Sequence, residues 1–152
     1  MDKGKKEGRY QRLCRQIEDL LLKTPDTTAA MATISAVLFN KMEYFFWCGF
    51  YRLDDERLIV GPYQGPPACQ ILEGRGVCLA AVHQNKTIVV PDVHNFPGHI
   101  ACDSRSLSEI VVPVRNASGQ IVAVLDVDSK ELSSFDETDA LYLEKIVGLL
   151  TR

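Results

Sequence analysis

Apolar Leu13, Ile17, Leu20 and Leu21 recur at helical spacing between Tyr10 and Lys23, and Thr24-Pro25 ends the pattern, which predicts a first helix. Asp26 or Thr27 is placed to cap a second, TTAAMATISAVLFNKM, with Met31, Ile34, Val37 and Leu38 along one stripe. The period then changes. FFWCGFYRL, residues 45 to 53, is rich in aromatic strand formers; DDE makes a turn, RLIVGPYQG returns as an antiparallel partner, and GPPA follows as a loop.

GRGVCLAAVHQNK, residues 74 to 86, reads as a glycine-rich turn feeding a short helix, with TIVVP as a strand behind it. DVHNFPGHIACDSRSLS is long for a connection, and long irregular loops in compact domains tend to carry function. EIVVPVR and QIVAVLDVDS are strands joined through NASG as a hairpin, and Pro113 makes the first irregular or places it at an edge. Ser134 or Asp136 caps a last helix, DETDALYLEKIVGLL, with Leu141, Ile146 and Leu149 facing inward. Connections mostly of the hairpin type predict an α+β fold: a central antiparallel sheet, helices packed on one side, and a ligand cavity under the long loop.

A chain of 152 residues with 46% hydrophobic content suffices for one domain, expected over residues 10–152, while the lysine-rich residues 1–9 read as a flexible, solvated tail. A net charge of −3 argues against nucleic acid as a partner, because phosphate binding needs a concentrated basic surface. No run reaches the roughly 18 to 20 apolar residues of a membrane span, and the N-terminus lacks the apolar stretch of a secretory signal. A cytoplasmic protein is expected. There glutathione and thioredoxin keep structural pairs reduced, so the five cysteines, an odd number, do not suggest a disulfide framework.

Asp126 and Asp128 are two apart on a strand and project from one face, together with Val122 and Val124. Separated by about 6.6 Å of strand rise, two such carboxylates repel by about 2.5 kcal/mol at an effective dielectric of 20. They either sit solvated at a fraying strand end or bind a cation or hold a proton for transfer. Glu109, across the hairpin, is close enough to join them, and three acids round one cavity disfavour anionic substrates.

Cys102 stands in the polar long loop, where a free cysteine, ordinarily a small buried hydrophobe, needs a reason. Acidic neighbours raise a thiol's pKa, so a protease-like cysteine is not indicated. His94 and His99 supply no complete triad, and their spacing with Cys102 matches no strong zinc motif; with C-x-x-C absent as well, no metal is expected. His83 belongs on a helix surface. Cys78 follows G-R-G at a helix start, where either the helix dipole lowers its pKa or it is simply buried. Cys69 lies in an unpatterned loop, exposed and mobile, whereas Cys14 and Cys48 belong to buried faces. G-R-G alone is weak support for a nucleotide. Trp47 and Tyr51 share one strand face, as core or as a pocket wall that takes a methyl or thioether group.

Together and in this order, WCGFY, GPYQGPPAC, GRGVC, HIACDSRSLSEIVVPV and GQIVAVLDVDS resemble the free methionine-(R)-sulfoxide reductase family, which has the GAF fold. The resemblance runs from about Ala29 to the C-terminus. It implies that Cys102 is the nucleophile attacking the sulfoxide sulfur and is left as a sulfenic acid. Cys69 then resolves it as a disulfide, with Cys78 as the alternate, and thioredoxin is the external reductant with no bound cofactor. The interval from Cys69 to Cys78 is nine residues, one shorter than the family pattern, which leaves open which of the two resolves. The resemblance also implies that Glu109, Asp126 and Asp128 hold the amino group of free methionine sulfoxide and protonate its oxygen. Backbone amides of Ile100, Ala101 and Cys102 meet its carboxylate, and Trp47 and Tyr51 enclose the S-methyl end. A homodimer stays open, and a non-catalytic GAF-type small-molecule or redox sensor is the alternative.

Overall fold

The computed structural model describes residues 1–23 and 25–151; Thr24, half of the expected Thr24-Pro25 stop, and Arg152, the expected end of the domain, lie outside the described residues. The chain runs α1 (Lys3–Leu21), α2 (Thr27–Lys41), β1 (Trp47–Asp54), β2 (Arg57–Gln64), β3 (Ile71–Leu72), α3 (Val77–Gln84), β4 (Ile88–Val90), β5 (Ser108–Arg115), β6 (Ile121–Ser129) and α4 (Glu137–Gly148). The strands form one sheet in the order β3-β2-β1-β6-β5-β4, every neighbouring pair antiparallel.

Alternation along the strands gives the sheet two different faces. Cys48, Phe50, Ile110, Val112, Val114, Ala123, Leu125 and Val127 turn toward α1, α2 and α4, where Tyr10, Ile17, Ile34, Leu38, Leu143 and Ile146 complete the main core. The other face carries Trp47, Tyr51, Val111 and Val124 and is covered by the short α3 with Val77, Cys78 and Leu79. Three helices thus lie on one side as expected, and the fourth stands across the sheet, where the cavity forms.

Local chemistry sets the boundaries. Asp26 accepts from the Ala29 amide to cap α2, and Asp136 and Asp139 form a reciprocal capping box at α4. Asn116 accepts from the Ser118 and Gln120 amides in the β5–β6 turn. Pro113 is tolerated because β4 pairs only as far as Val111, so no neighbour on that side asks the proline for an N–H. Leu143 rather than Leu141 fills the core from α4; Leu141 is exposed.

The expected tail is corrected. Residues 3–9 are helical, capped by the Asp2 side chain at the Lys5 amide, and Lys6 is buried. Its Nζ lies 2.7 Å from Asp139 Oδ2, and Asp139 also accepts from Tyr10 and Tyr44 hydroxyls at 2.7 and 2.6 Å. A basic cluster read as solvated therefore ties the first helix to the last. No helix among the described residues is long and apolar enough to cross a membrane.

Candidate active site

The face covered by α3 holds the three acids. Register sets Glu109 directly opposite Asp128, and Asp126 opposite Val111 on one side and Gly49 on the other. Neither aspartate lies at a fraying end, because β6 is paired with β1 and β5 along this stretch. Glu109 and Asp126 are each only 5% exposed, and Asp128 is half-buried. Among the described residues, Asp126 Oδ1 is buried without a hydrogen-bond partner. The Cys78 thiol and a Glu109 oxygen lie within 4.8 Å of an Asp126 oxygen.

The adjacent wall is aromatic. At Gly49 a Cβ would sit 2.2 Å from that of Tyr63, so glycine is what lets β2 approach. Tyr63, Trp47 and Tyr51 then stack, with centroids 5.1 and 5.7 Å apart in turn. Two of these rings also hold the loop above them: the Trp47 indole N–H donates to Pro66 O and the Tyr51 hydroxyl to Cys69 O, each at 3.1 Å. The pocket wall therefore positions the Cys69 segment, a role that face pairing alone does not reveal.

Across the mouth, Cys69 and Cys102 are joined in a disulfide, 33 residues apart in sequence with Cα atoms 5.4 Å apart. Cys102 is exposed and Cys69 half-buried, held rather than free. Arg105 clamps the loop through Asp103, with contacts of 3.0 and 2.7 Å, and lies over the Phe46 ring. Among the described residues none accepts a hydrogen bond from the amides of Ile100, Ala101 or Cys102.

Trp47, Tyr51, Cys78, Ile100, Ala101 and the three acids line one and the same cavity with Cys102, whereas Cys69 and His94 are not among its lining residues. Phe46, Arg75, His99 and Ser106 line it too and were not assigned there by sequence. For Arg75 the available signal was G-R-G: its side chain lies 3.3 Å from where Gly98, at φ +76°, would carry a Cβ. The zinc reading does not assemble, since exposed His94 pairs with Asp92 at 2.9 Å and His99 turns to Glu109, 3.7 Å away.

A GAF domain family model matches residues 24–152. The chain is 51% identical over 152 residues to GAF domain-containing protein A of Dictyostelium discoideum, covering 99% of this chain and 95% of that one. To the free methionine-R-sulfoxide reductase of Escherichia coli it is 41% identical over 144 residues, covering 94% and 87%. The X-ray structure of free methionine-R-sulfoxide reductase from Neisseria meningitidis in complex with its substrate aligns with a TM-score of 0.92 at 43% identity, covering 99% and 89%. The chain belongs to the free methionine-(R)-sulfoxide reductase family. It is an oxidoreductase on the GAF fold.

The electrostatics of this reductase site follow from burial. Desolvation pushes Glu109 well above the ordinary glutamic acid range, and Asp126 and Asp128 add to it. Asp128 is raised by burial and then by Asp126; Asp126 is raised by burial and pulled back by hydrogen bonds from Glu109 and Cys78. Each of the three acids is thereby displaced toward its protonated form, and they titrate as a coupled set. Of the two readings left open for Cys78, burial is the one found: burial first, then Asp126, Glu109 and Asp128, raise its pKa well above the thiol range despite its place in the first turn of α3. His99 is lowered by burial and by His94.

These shifts give a pH prediction. Glu109 faces Asp126 and Asp128 from β6, Cys78 from α3, His99 from the long loop and Tyr51 from β1. Its folded pKa exceeds its unfolded one, so the folded state binds more protons and stability falls as pH rises toward the folded value. The depressed pKa of His99 works in the opposite direction, but only below about pH 6.5, its ordinary value. Above about pH 6.5, where His99 no longer opposes it, the melting temperature is therefore expected to fall with rising pH until Glu109 ionises in the folded state. Glu109→Gln, neutral throughout, should flatten that slope in a pH series of thermal melts; an unchanged slope would remove Glu109 as its source.

Proposed function

We propose that this chain reduces free L-methionine-(R)-sulfoxide to L-methionine in the cytoplasm, with thioredoxin as reductant. The observation that carries the reading is the Cys69–Cys102 disulfide across the mouth of a cavity lined by three acids, buried Glu109 and Asp126 and half-buried Asp128. The Neisseria relative was solved in complex with its substrate, and this chain matches it over nearly its whole length.

The substrate's ammonium group enters beside Asp126, whose Oδ1 has no hydrogen-bond partner among the described residues and wants a donor. Its carboxylate meets the open amides of Ile100, Ala101 and Cys102, and its S-methyl end lies on Trp47 and Tyr51. With both thiols reduced, Cys102 Sγ attacks the sulfoxide sulfur. A proton from the Glu109–Asp128 pair goes to the oxygen, which is transferred to Cys102 as a sulfenic acid while methionine leaves as the thioether. Cys69 Sγ then attacks the Cys102 sulfur, forming the disulfide and releasing water. A dithiol reductant returns both cysteines to thiols and becomes a disulfide itself.

Acids whose pKa is raised suit this reaction, because the oxygen must be protonated as it leaves sulfur. Cys78, buried with a raised pKa, is a poor attacking thiol, which favours Cys69 as the resolving residue. The test is methionine release from each resolved epimer of methionine sulfoxide in a thioredoxin system. Turnover of the R epimer alone is expected; binding without release of methionine would instead mark a sensor.

A further inference from the structure

The cavity floor contains a thiol that the proposed reaction does not use. Cys78 Sγ from α3, a Glu109 oxygen from β5 and an Asp126 oxygen from β6 lie within 4.8 Å of one another, and all three residues are buried. Asp126, 5% exposed, lines the same cavity, and among the described residues its buried Oδ1 has no hydrogen-bond partner. Three convergent donors with one of their oxygens unpartnered make a built coordination set rather than a loose acidic patch.

The donor types decide what fits. Calcium and magnesium take six or more oxygens or keep most of their water, which one sulfur and two carboxylates from a dry floor do not supply. Thiolate with carboxylate suits zinc and the softer cadmium, which accept few ligands at short distances and displace the protons of Cys78 and Glu109 to solvent as they bind. Asp128, on the same face as Asp126, or a water completes the set. We infer that Cys78, Glu109 and Asp126 form a seat for a single thiophilic divalent cation, occupying the place of the substrate's ammonium group and blocking the site reversibly. Binding itself is independent of the catalytic reading; only the competition with substrate rests on it. Because Cys78 is free while Cys69 and Cys102 are joined, the seat is available in the oxidised protein.

The experiment uses that independence. Oxidised full-length protein, with Cys69 and Cys102 locked as a disulfide, is titrated with cadmium chloride and followed by the ultraviolet thiolate-to-cadmium charge-transfer band. A saturable band at one equivalent is expected, lost in Cys78→Ala, retained in Cys14→Ser, and weakened about tenfold or more in Asp126→Asn. L-Methionine should displace the metal. No band in the wild type, a band that disappears with Cys14, or wild-type affinity in Asp126→Asn overturns the seat, and this last arm decides should Cys78→Ala fail to fold. A band that L-methionine leaves untouched overturns the shared position, and does so whether or not Cys102 is the catalytic thiol.

Discussion

Cys102→Ser is expected to lower methionine release by about a thousandfold or more, the scale on which enzymes lose rate when the nucleophile of a covalent mechanism is removed. A serine hydroxyl occupies almost the same space, but it is far less nucleophilic than a thiolate and cannot be carried along the sulfenic acid route. Cys102 is exposed, so the substitution should leave packing intact. The comparison must be made against reduced wild type. Closing a loop of 33 residues stabilises the oxidised protein by up to roughly 3–4 kcal/mol in the chain-entropy account, and that would be mistaken for an effect of serine on the fold. Substrate binding should survive, since the acids and the aromatic wall are untouched. Methionine release at more than a tenth of the wild-type rate would place the chemistry on another residue.

The largest loss of stability is expected at Asp139, far from the cavity. Its carboxylate is fully buried and satisfied by the Lys6 ammonium, the Tyr10 and Tyr44 hydroxyls and the Asp136 amide. Removing one member of such a pair leaves an uncompensated buried charge, at a cost of about 3–5 kcal/mol. For a domain of this length that corresponds to a fall in melting temperature of roughly 6–20 °C. Asp139→Asn and Lys6→Met should each show it in thermal or urea melts followed by circular dichroism. The double variant should lose less than the sum of the two, because neither charge is then stranded. A shift below about 2 °C in either single variant would mean that the first helix is not anchored through this contact. The same network makes residues 1–9 structural, and their deletion should destabilise the domain much as Lys6→Met does.

What could be read from sequence followed the range of the interactions. The β5–β6 hairpin is written in Asn116 and Gly119, and period-two alternation puts Asp126 and Asp128 on one face without further information. Lys6 misleads because what buries it is an aspartate 133 residues away, which no local pattern of lysines records. Cys78 stayed open for the same reason: the helix start is local and argues for a lowered pKa, whereas the burial under the sheet and the carboxyl groups of β5 and β6 that raise it are remote. The two-residue β3 is too short to carry a period, and the phase of α4 favours Leu143 over Leu141 by a rotation that sequence spacing leaves ambiguous. The hydrogen bonds from Trp47 and Tyr51 to the Cys69 loop end on backbone carbonyls, to which residue identity gives no pointer. The family resemblance supplied the pairing of Cys69 with Cys102; spacing did not.

The central claim is that Cys102 sulfur takes the oxygen from the sulfoxide, and it is tested most directly in Cys69→Ser, where the expected resolving thiol is missing. The variant is reduced, freed of reductant, and mixed with excess (R)-sulfoxide in the presence of a sulfenic-acid trapping reagent; methionine and modified peptides are then measured. The account predicts one methionine per chain in a single fast phase, with the trap on Cys102. Methionine formed while Cys102 stays an unmodified thiol, or a trap found on Cys78 instead, would contradict it.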